Sequence, residues 1–422
     1  MWHPYTAMDE FVTRDPLVIE RAEGARLFDA DGRSYLDGNS SWYVATLGHA
    51  HPRLVARVQA QVAELGHCAL AGIAHEGAAR LADALCRSAP AGLTRAFFTD
   101  DGSTAIEVAV KIAVQFWQQS GRAARHKTRF LALDGAFHGD SLGAASLGGV
   151  EVFRKPFGAV LFDCVHVPFP DDAGYARAFE ALGRALVDAH DTIAAVVVEP
   201  VVQASSGMRV YPAEYLRELR RLTEKHDVLL VIDEVFAGYG RTGPMWASEH
   251  AGVTPDLMCL GKAMSPLLPM GATLVTDRVE RAFRGAKSRA LMYGHTLCGN
   301  PLGAALALEV LDVYRDEEVL ARAAPKATRI AAAFAALREI PGVVRTRSLG
   351  MIGAADLATS SGAEGGYLGQ LGWQVYDEAR RRGAYLRPLG DTVYVTPPLN
   401  IADAELDLLL AVLRESVTAV MG

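Results

Sequence analysis

Apolar residues recur along this chain in two rhythms. Near-continuous runs of strand length stand at FLALDG (130–135), IAAVVVEP (193–200), VLLVIDE (228–234) and DLMCLG (256–261). Runs without polar alternation are what parallel strands covered on both faces require. Helical patterns separate them, for example YLRELRRLTEKHD (215–227) before VLLVIDE. Strand, helix and strand in repetition predict an α/β fold: a large doubly wound, mainly parallel sheet domain over about 46–315. Ser103–Gln119 reads as one of its helices, with Thr104 and Glu107 in capping-box spacing.

The pattern changes at both ends. ARLFDADGRSYLDG (25–38) predicts two strands turning at Asp31-Gly32. PGVVRTRSLGMIGAADL and AYLRPLGDTVYVTPPLN read as strands and proline-bearing loops, and Leu406, Leu409, Leu410 and Leu413 set the face of a closing helix. Residues 316–422 are therefore expected to form a smaller α+β domain. A lone hairpin is marginal in water, so the N-terminal segment, 1–45, is expected to pack with it.

Composition narrows the class. Half of the 422 residues are hydrophobic and 22% are charged, which is globular usage. A net charge of -7 argues against a nucleic-acid binder. The five cysteines are scattered with no CxxC pair, which argues against structural zinc or a disulfide framework and fits a reducing, cytoplasmic setting. The opening residues carry neither a basic n-region nor an apolar h-region, so no signal peptide is expected. No membrane association is expected, because the long apolar stretch at 256–275 is broken by prolines and glycines.

That stretch, DLMCLGKAMSPLLPMGATLV, holds a single charge between Leu257 and Val275, Lys262. Lysine is seldom buried without a partner or a task. In open α/β sheets, ligands bind beyond the carboxyl ends of the strands. Lys262, Asp233 and Glu199 each follow an apolar run. The 29 residues from Asp233 to Lys262 leave room for one helix and a return strand. A lysine facing an acid fits either a structural ion pair or pyridoxal phosphate (PLP), whose ring nitrogen needs a carboxylate. Gly102, Ser103 and Thr104 at a helix start fit either an ordinary cap or a phosphate cup. Phe137 and His138 after FLALDG fit either a core pair or a stacking ring beside a flat cofactor.

DEVFAGYGRTG, LGKAMSPLLPMGA and GHTLCGNPLGAALA, in this order over nearly the whole chain, resemble the class III aminotransferases, which are fold-type I PLP enzymes. The resemblance implies roles. Lys262 would be the Schiff-base lysine and proton shuttle, and Asp233 the partner of the pyridine nitrogen. Val235 and Phe137 would cover the two ring faces. Gly102 and Ser103 would hold the phosphate, with Thr296 reaching it from the second subunit of a homodimer with shared sites. Tyr5, Trp42, Phe137, Gly294 and Arg387 would line the substrate pocket, Arg387 taking a carboxylate through two parallel hydrogen bonds. Arg241 of the GRTG motif would have a secondary role in substrate recognition or form a structural ion pair.

Within the family, WHPYTAM, DGNSSWYVATLGHAHP and RPLGDTVYVTPP resemble the branch that aminates 8-amino-7-oxononanoate in biotin synthesis, with S-adenosylmethionine as the usual donor. Lysine as donor, another ω-aminotransferase acting on a diamine or ω-amino acid, and a PLP-holding protein without turnover are the alternatives. Phe137, His295 and Tyr43 depart from that branch, which often has Tyr, Pro and Trp there.

Overall fold

The structure, a computed structural model, describes residues 1–14, 16–121, 124–171, 174–358 and 366–422. Near the N-terminus β1 (Ile19–Glu23), β2 (Arg26–Asp29) and β3 (Ser34–Asp37) run antiparallel in sequence, β2 and β3 turning through Asp29–Arg33. The Asp29 carboxylate closes that turn by accepting from the Asp31 and Arg33 amides and the Tyr35 hydroxyl.

The large sheet contains β4 (Leu93–Thr99), β5 (Arg129–Leu133), β6 (Cys164–Val167) and β7 (Ile193–Val198). A short hairpin, β8 (Val202–Gln203) and β9 (Arg209–Val210), follows, and then β10 (Leu229–Asp233), β11 (Leu257–Leu260) and β12 (Gly271–Thr276) complete the sheet. Its order is β4-β12-β11-β10-β7-β5-β6. Only β12 runs against its neighbours. Alternate residues of β10 serve opposite cores. Leu229 and Val231 meet the helix Gly102–Gln119, whereas Leu230 and Ile232 meet Tyr215 and Leu219 of the helix Ala213–Lys225. With both faces covered, the strand has to be apolar throughout.

Two expectations need correction. Room was allowed for a helix between β10 and β11. The connection is instead a loop with one 3₁₀ turn, Ala247–His250. Its sequence, FAGYGRTGPMW, carries three glycines and a proline and no helical period, and its ends are held by the Glu234 carboxylate, which accepts from the Ala247 and Ser248 amides. The cap of the helix Gly102–Gln119 is also shifted by one turn. Asp101 is the cap, paired reciprocally with Thr104. Glu107 instead accepts from the Ser141 hydroxyl and the Gly143 amide.

Toward the C-terminus β13 (Val343–Leu349), β14 (Ile352–Leu357), β15 (Ala384–Tyr385) and β16 (Thr392–Val395) follow. β13, β14 and β16 form an antiparallel sheet backed by helices Val319–Leu337 and Asp403–Met421. β15 leaves that sheet and pairs in parallel with β3, Ala384 opposite Leu36. The N-terminal strands are thereby sewn to the C-terminal part of the chain.

Candidate active site

The carboxyl ends of β5, β7, β10 and β11 open into one cavity of about 500 Å³, lined by Phe137, His138, Glu199, Asp233, Val235 and Lys262. The helix end at Gly102 and Ser103 forms one side. Tyr5, Trp42, Tyr43, Phe153, Tyr367 and Arg387 add a mainly aromatic part of the lining. Nine of the residues singled out in the sequence thus meet: Tyr5, Trp42, Gly102, Ser103, Phe137, Asp233, Val235, Lys262 and Arg387. Gly294 and Thr296 do not line it. They stand exposed on the loop before Asn300.

Lys262 directly follows β11 and holds a left-handed backbone, φ 44°. Its amine makes no hydrogen bond or ion pair among the described residues. Burial depresses its pKa from the ordinary lysine value, against the opposing pull of Asp233, Glu199, Asp101 and Asp140. The neutral, nucleophilic amine is favoured accordingly.

Asp233, at the end of β10, is fixed at both oxygens. Oδ1 accepts from the Val235 amide at 3.0 Å, and Oδ2 lies 2.7 Å from His138 Nδ1. Burial opposes charge on His138, but the hydrogen bond and charge of Asp233, with Glu199 beyond, outweigh it and hold this imidazole above the usual histidine range. His138 Nε2 is buried and has no hydrogen-bond partner among the described residues. Glu199 accepts from the Phe137 amide at 3.1 Å and the Ala204 amide at 3.0 Å, so it ties the Phe137 turn to the end of β7. Burial pushes its carboxyl up to about 7.

Gly102 begins its helix against Val235. A Cβ on Gly102 would stand 2.5 Å from Val235 Cγ1, so only glycine lets the helix end meet that side chain. Gly139, at φ +126°, passes equally close to Ser103. Free amides at the start of this 18-residue helix face the cavity beside Ser103 and suit an anion.

The aromatic side rests on an unusual backbone. Ser40, Ser41, Trp42 and Tyr43 all have positive φ, between 45° and 73°, and make a single left-handed turn. Such a turn costs about 1–2 kcal/mol per residue. Side chains lock it: Ser40 Oγ donates to the Thr396 carbonyl, Ser41 Oγ to Asp37, and the Tyr43 hydroxyl meets that of Tyr394. Tyr5 and Trp42 meet edge to face at 5.9 Å, and the Tyr5 hydroxyl donates to Asp140. Arg387 lies 4.9 Å from the centre of the Trp42 ring, its amide bound to Asn39 and its guanidinium without an ion pair among the described residues.

Arg241 is not at the cavity. It is buried, its Nη1 donates to the Pro397 carbonyl at 2.7 Å, and burial lowers it to about 10. Among the described residues it has no ion pair, which overturns that reading. Sequence reasoning undervalued His138, although it adjoins Phe137 in one motif, and passed over Asp140, Phe153 and Tyr367.

These features fit a flat, anionic cofactor bearing a carbonyl. They comprise a buried amine free of hydrogen bonds and ion pairs among the described residues, an anion cradle shaped around glycine, a fixed carboxylate and apolar walls. The model for aminotransferase class-III matches residues 7–417. Adenosylmethionine-8-amino-7-oxononanoate aminotransferase of Nitratidesulfovibrio vulgaris is 39% identical over 100% of this chain and 80% of its own length. The crystal structure of the enzyme so named from Methanocaldococcus jannaschii superposes with a TM-score of 0.95 at 31% identity, covering 100% of this chain and 97% of the other. An amine transaminase from an uncultivated Pseudomonas species, solved in its PLP-bound form, gives 0.92 at 32% identity, covering 100% and 99%.

Proposed function

The chain belongs to the class-III aminotransferases, PLP-dependent enzymes, and from that premise we propose that it aminates 8-amino-7-oxononanoate to 7,8-diaminononanoate, with S-adenosylmethionine as donor. The observation that carries the reading is Arg387. It is a cation without an ion pair among the described residues, lining the cavity that also holds Lys262 and the Gly102 helix end, and set among rings. A substrate with a carboxylate at one end and a reacting ketone near the other fits that arrangement. The names of the relatives agree. The amine transaminase likeness supports the same chemistry but a different substrate class.

When bound, PLP supplies an electron sink for the carbanion left as a C–H bond breaks. Lys262 would hold the cofactor covalently through Nζ and, once released by the incoming amine, carry the proton at Nζ. Its lowered pKa suits that base role. Asp233 would keep the pyridine nitrogen protonated, with His138 orienting the carboxylate. Val235 and Phe137 would cover the ring faces, and the Gly102 and Ser103 amides would take the phosphate. Tyr5, Trp42 and the Phe137 edge would wall the aliphatic chain away from water, and Arg387 would take the carboxylate.

The active form in this reading is a cytoplasmic homodimer. Thr296 and Gly294 are exposed and do not line the chain's own cavity, so they are available to a second copy. Ile73, Met292 and Leu297 expose apolar surface on the same adjoining segments, joined where His75 Nε2 meets the Gly299 carbonyl at 2.7 Å. Exposed apolar patches mark interfaces. Among the described residues no helix is long and apolar enough to cross a membrane.

The test is a donor screen. The protein with PLP and 8-amino-7-oxononanoate is offered S-adenosylmethionine, lysine, diamines and ω-amino acids. Formation of 7,8-diaminononanoate with S-adenosylmethionine is the expected result. Lysine as the sole productive donor would correct the donor alone. No diamine product with any donor, alongside amination of pyruvate by a diamine, would overturn the reading in favour of an ω-aminotransferase.

A further inference from the structure

Arg387 is flanked by two rings. Besides Trp42 at 4.9 Å, its guanidinium carbon lies 5.7 Å from the centre of Trp373. Trp373 does not line the cavity. It stands in the first turn of the helix Leu371–Arg381 and meets Tyr376 edge to face at 5.4 Å. A second guanidinium, that of Arg14, approaches the same ring at 5.1 Å, and Arg14 Nη2 donates to Gln370 beside it. Rings and cations therefore alternate from the N-terminal segment to the cavity: Arg14, Trp373, Arg387, Trp42.

We infer that Trp373 is a positioning residue for substrate selection, holding Arg387 so that its N–H edge stays free for a carboxylate. The inference rests on the reading that Arg387 takes that group. A guanidinium has two apolar faces and a hydrogen-bonding edge. The two neighbouring rings shed water from it and restrict its rotamers without using a single N–H. An acidic partner would restrict it equally but would occupy the edge, and among the described residues there is none. Ordering an arginine only when substrate arrives costs affinity, and prior ordering removes that cost. Arg14 on the far side of Trp373 adds positive potential at the same place and ties the N-terminal segment to it.

The consequence is a selectivity effect separable from chemistry. Trp373→Leu keeps apolar bulk against Tyr376 and removes the π face. Trp373→Phe keeps a ring. The measurement is steady-state kinetics with the keto acid and its methyl ester as acceptors, at saturating donor. In the wild type the acid is expected to be preferred. Trp373→Leu is expected to raise KM for the acid about fivefold to thirtyfold, the range of a partly to fully desolvated cation–π contact. Its kcat and its ester kinetics should stay near wild type, and Trp373→Phe should retain most of the preference. A Trp373→Leu enzyme with the wild-type acid-to-ester ratio would overturn the inference and leave Arg387 as the carboxylate site. So would a fall in kcat shared by both acceptors, which marks a merely structural role. A wild type that does not distinguish acid from ester would remove the Arg387 reading and the inference together.

Discussion

Lys262 combines three oddities at one position: a left-handed backbone, an apolar neighbourhood and an amine with no hydrogen bond or ion pair among the described residues. Strained φ values persist where surrounding structure over-determines them, and they gather at working sites. Replacing Lys262 by Ala is expected to abolish turnover and the borohydride-trapped cofactor adduct, while PLP still binds through the phosphate cradle. Mass spectrometry locating the trapped adduct on a different lysine would end this assignment. At Asp233 the expectation is quantitative. Asp233→Asn should keep the adduct but lower kcat by about 100- to 1000-fold, the cost of removing one electrostatic stabiliser, and near-normal single-turnover rates would release Asp233 from its role. Lys262 was legible in the sequence because a lone charge in an apolar run is chemically loud, and Asp233 because it follows a strand-length apolar run. His138 was not, because a histidine beside a phenylalanine looks like core until its Nδ1 is seen 2.7 Å from Asp233. Nor could φ be read at Ser40–Tyr43, since nothing in SSWY, which has no glycine, signals a left-handed turn.

At the scale of elements, β7 and β10 end in the same device. Glu199 and Glu234 each accept two backbone amides, Glu199 from the turn after β5 and the loop after β7, Glu234 from the far end of the loop after β10, and burial pushes each carboxyl up to about 7. The sign of the consequence follows from proton counting. Between the unfolded value of 4.5 and the folded value of about 7, the native state holds a proton that the unfolded state has released. Stability contributed by these groups is therefore full below pH 4.5, falls as pH rises through that window, and levels off above it. Each contributes a slope of at most about 1.4 kcal/mol per pH unit. Urea melts at half-unit steps from pH 5 to 8 should show this decline, and Glu234→Gln should make it shallower; an unchanged slope would contradict the shared origin. The strands themselves were legible, because both faces of the sheet are covered and their apolar runs are unbroken. The loop from Glu234 to Asp256 was misjudged because residue count alone allowed a helix. Its three glycines, its proline and the lack of a helical period in FAGYGRTGPMW were the evidence against one.

For the whole molecule, sedimentation of the PLP-loaded protein is expected to give a dimer, and Thr296→Ala to weaken PLP retention, by about 1.5–3 kcal/mol for a lost hydrogen bond to a charged group. A fully active monomer would contradict the shared site. The cavity also has a temporal side that follows from the β3–β15 pairing. Asn39 and Arg387 are hydrogen-bonded across 348 residues, and Tyr5 closes the same mouth. During synthesis the N-terminal parts of a chain emerge first, and contacts of such separation form late. A nascent chain stalled before Ala384 would carry Lys262, Asp233, the Gly102 helix end, Tyr5 and Trp42, but neither β15, which pairs with β3, nor Arg387 would yet have been made. Cofactor could meet its lysine during translation, but discrimination among substrates begins only at chain release.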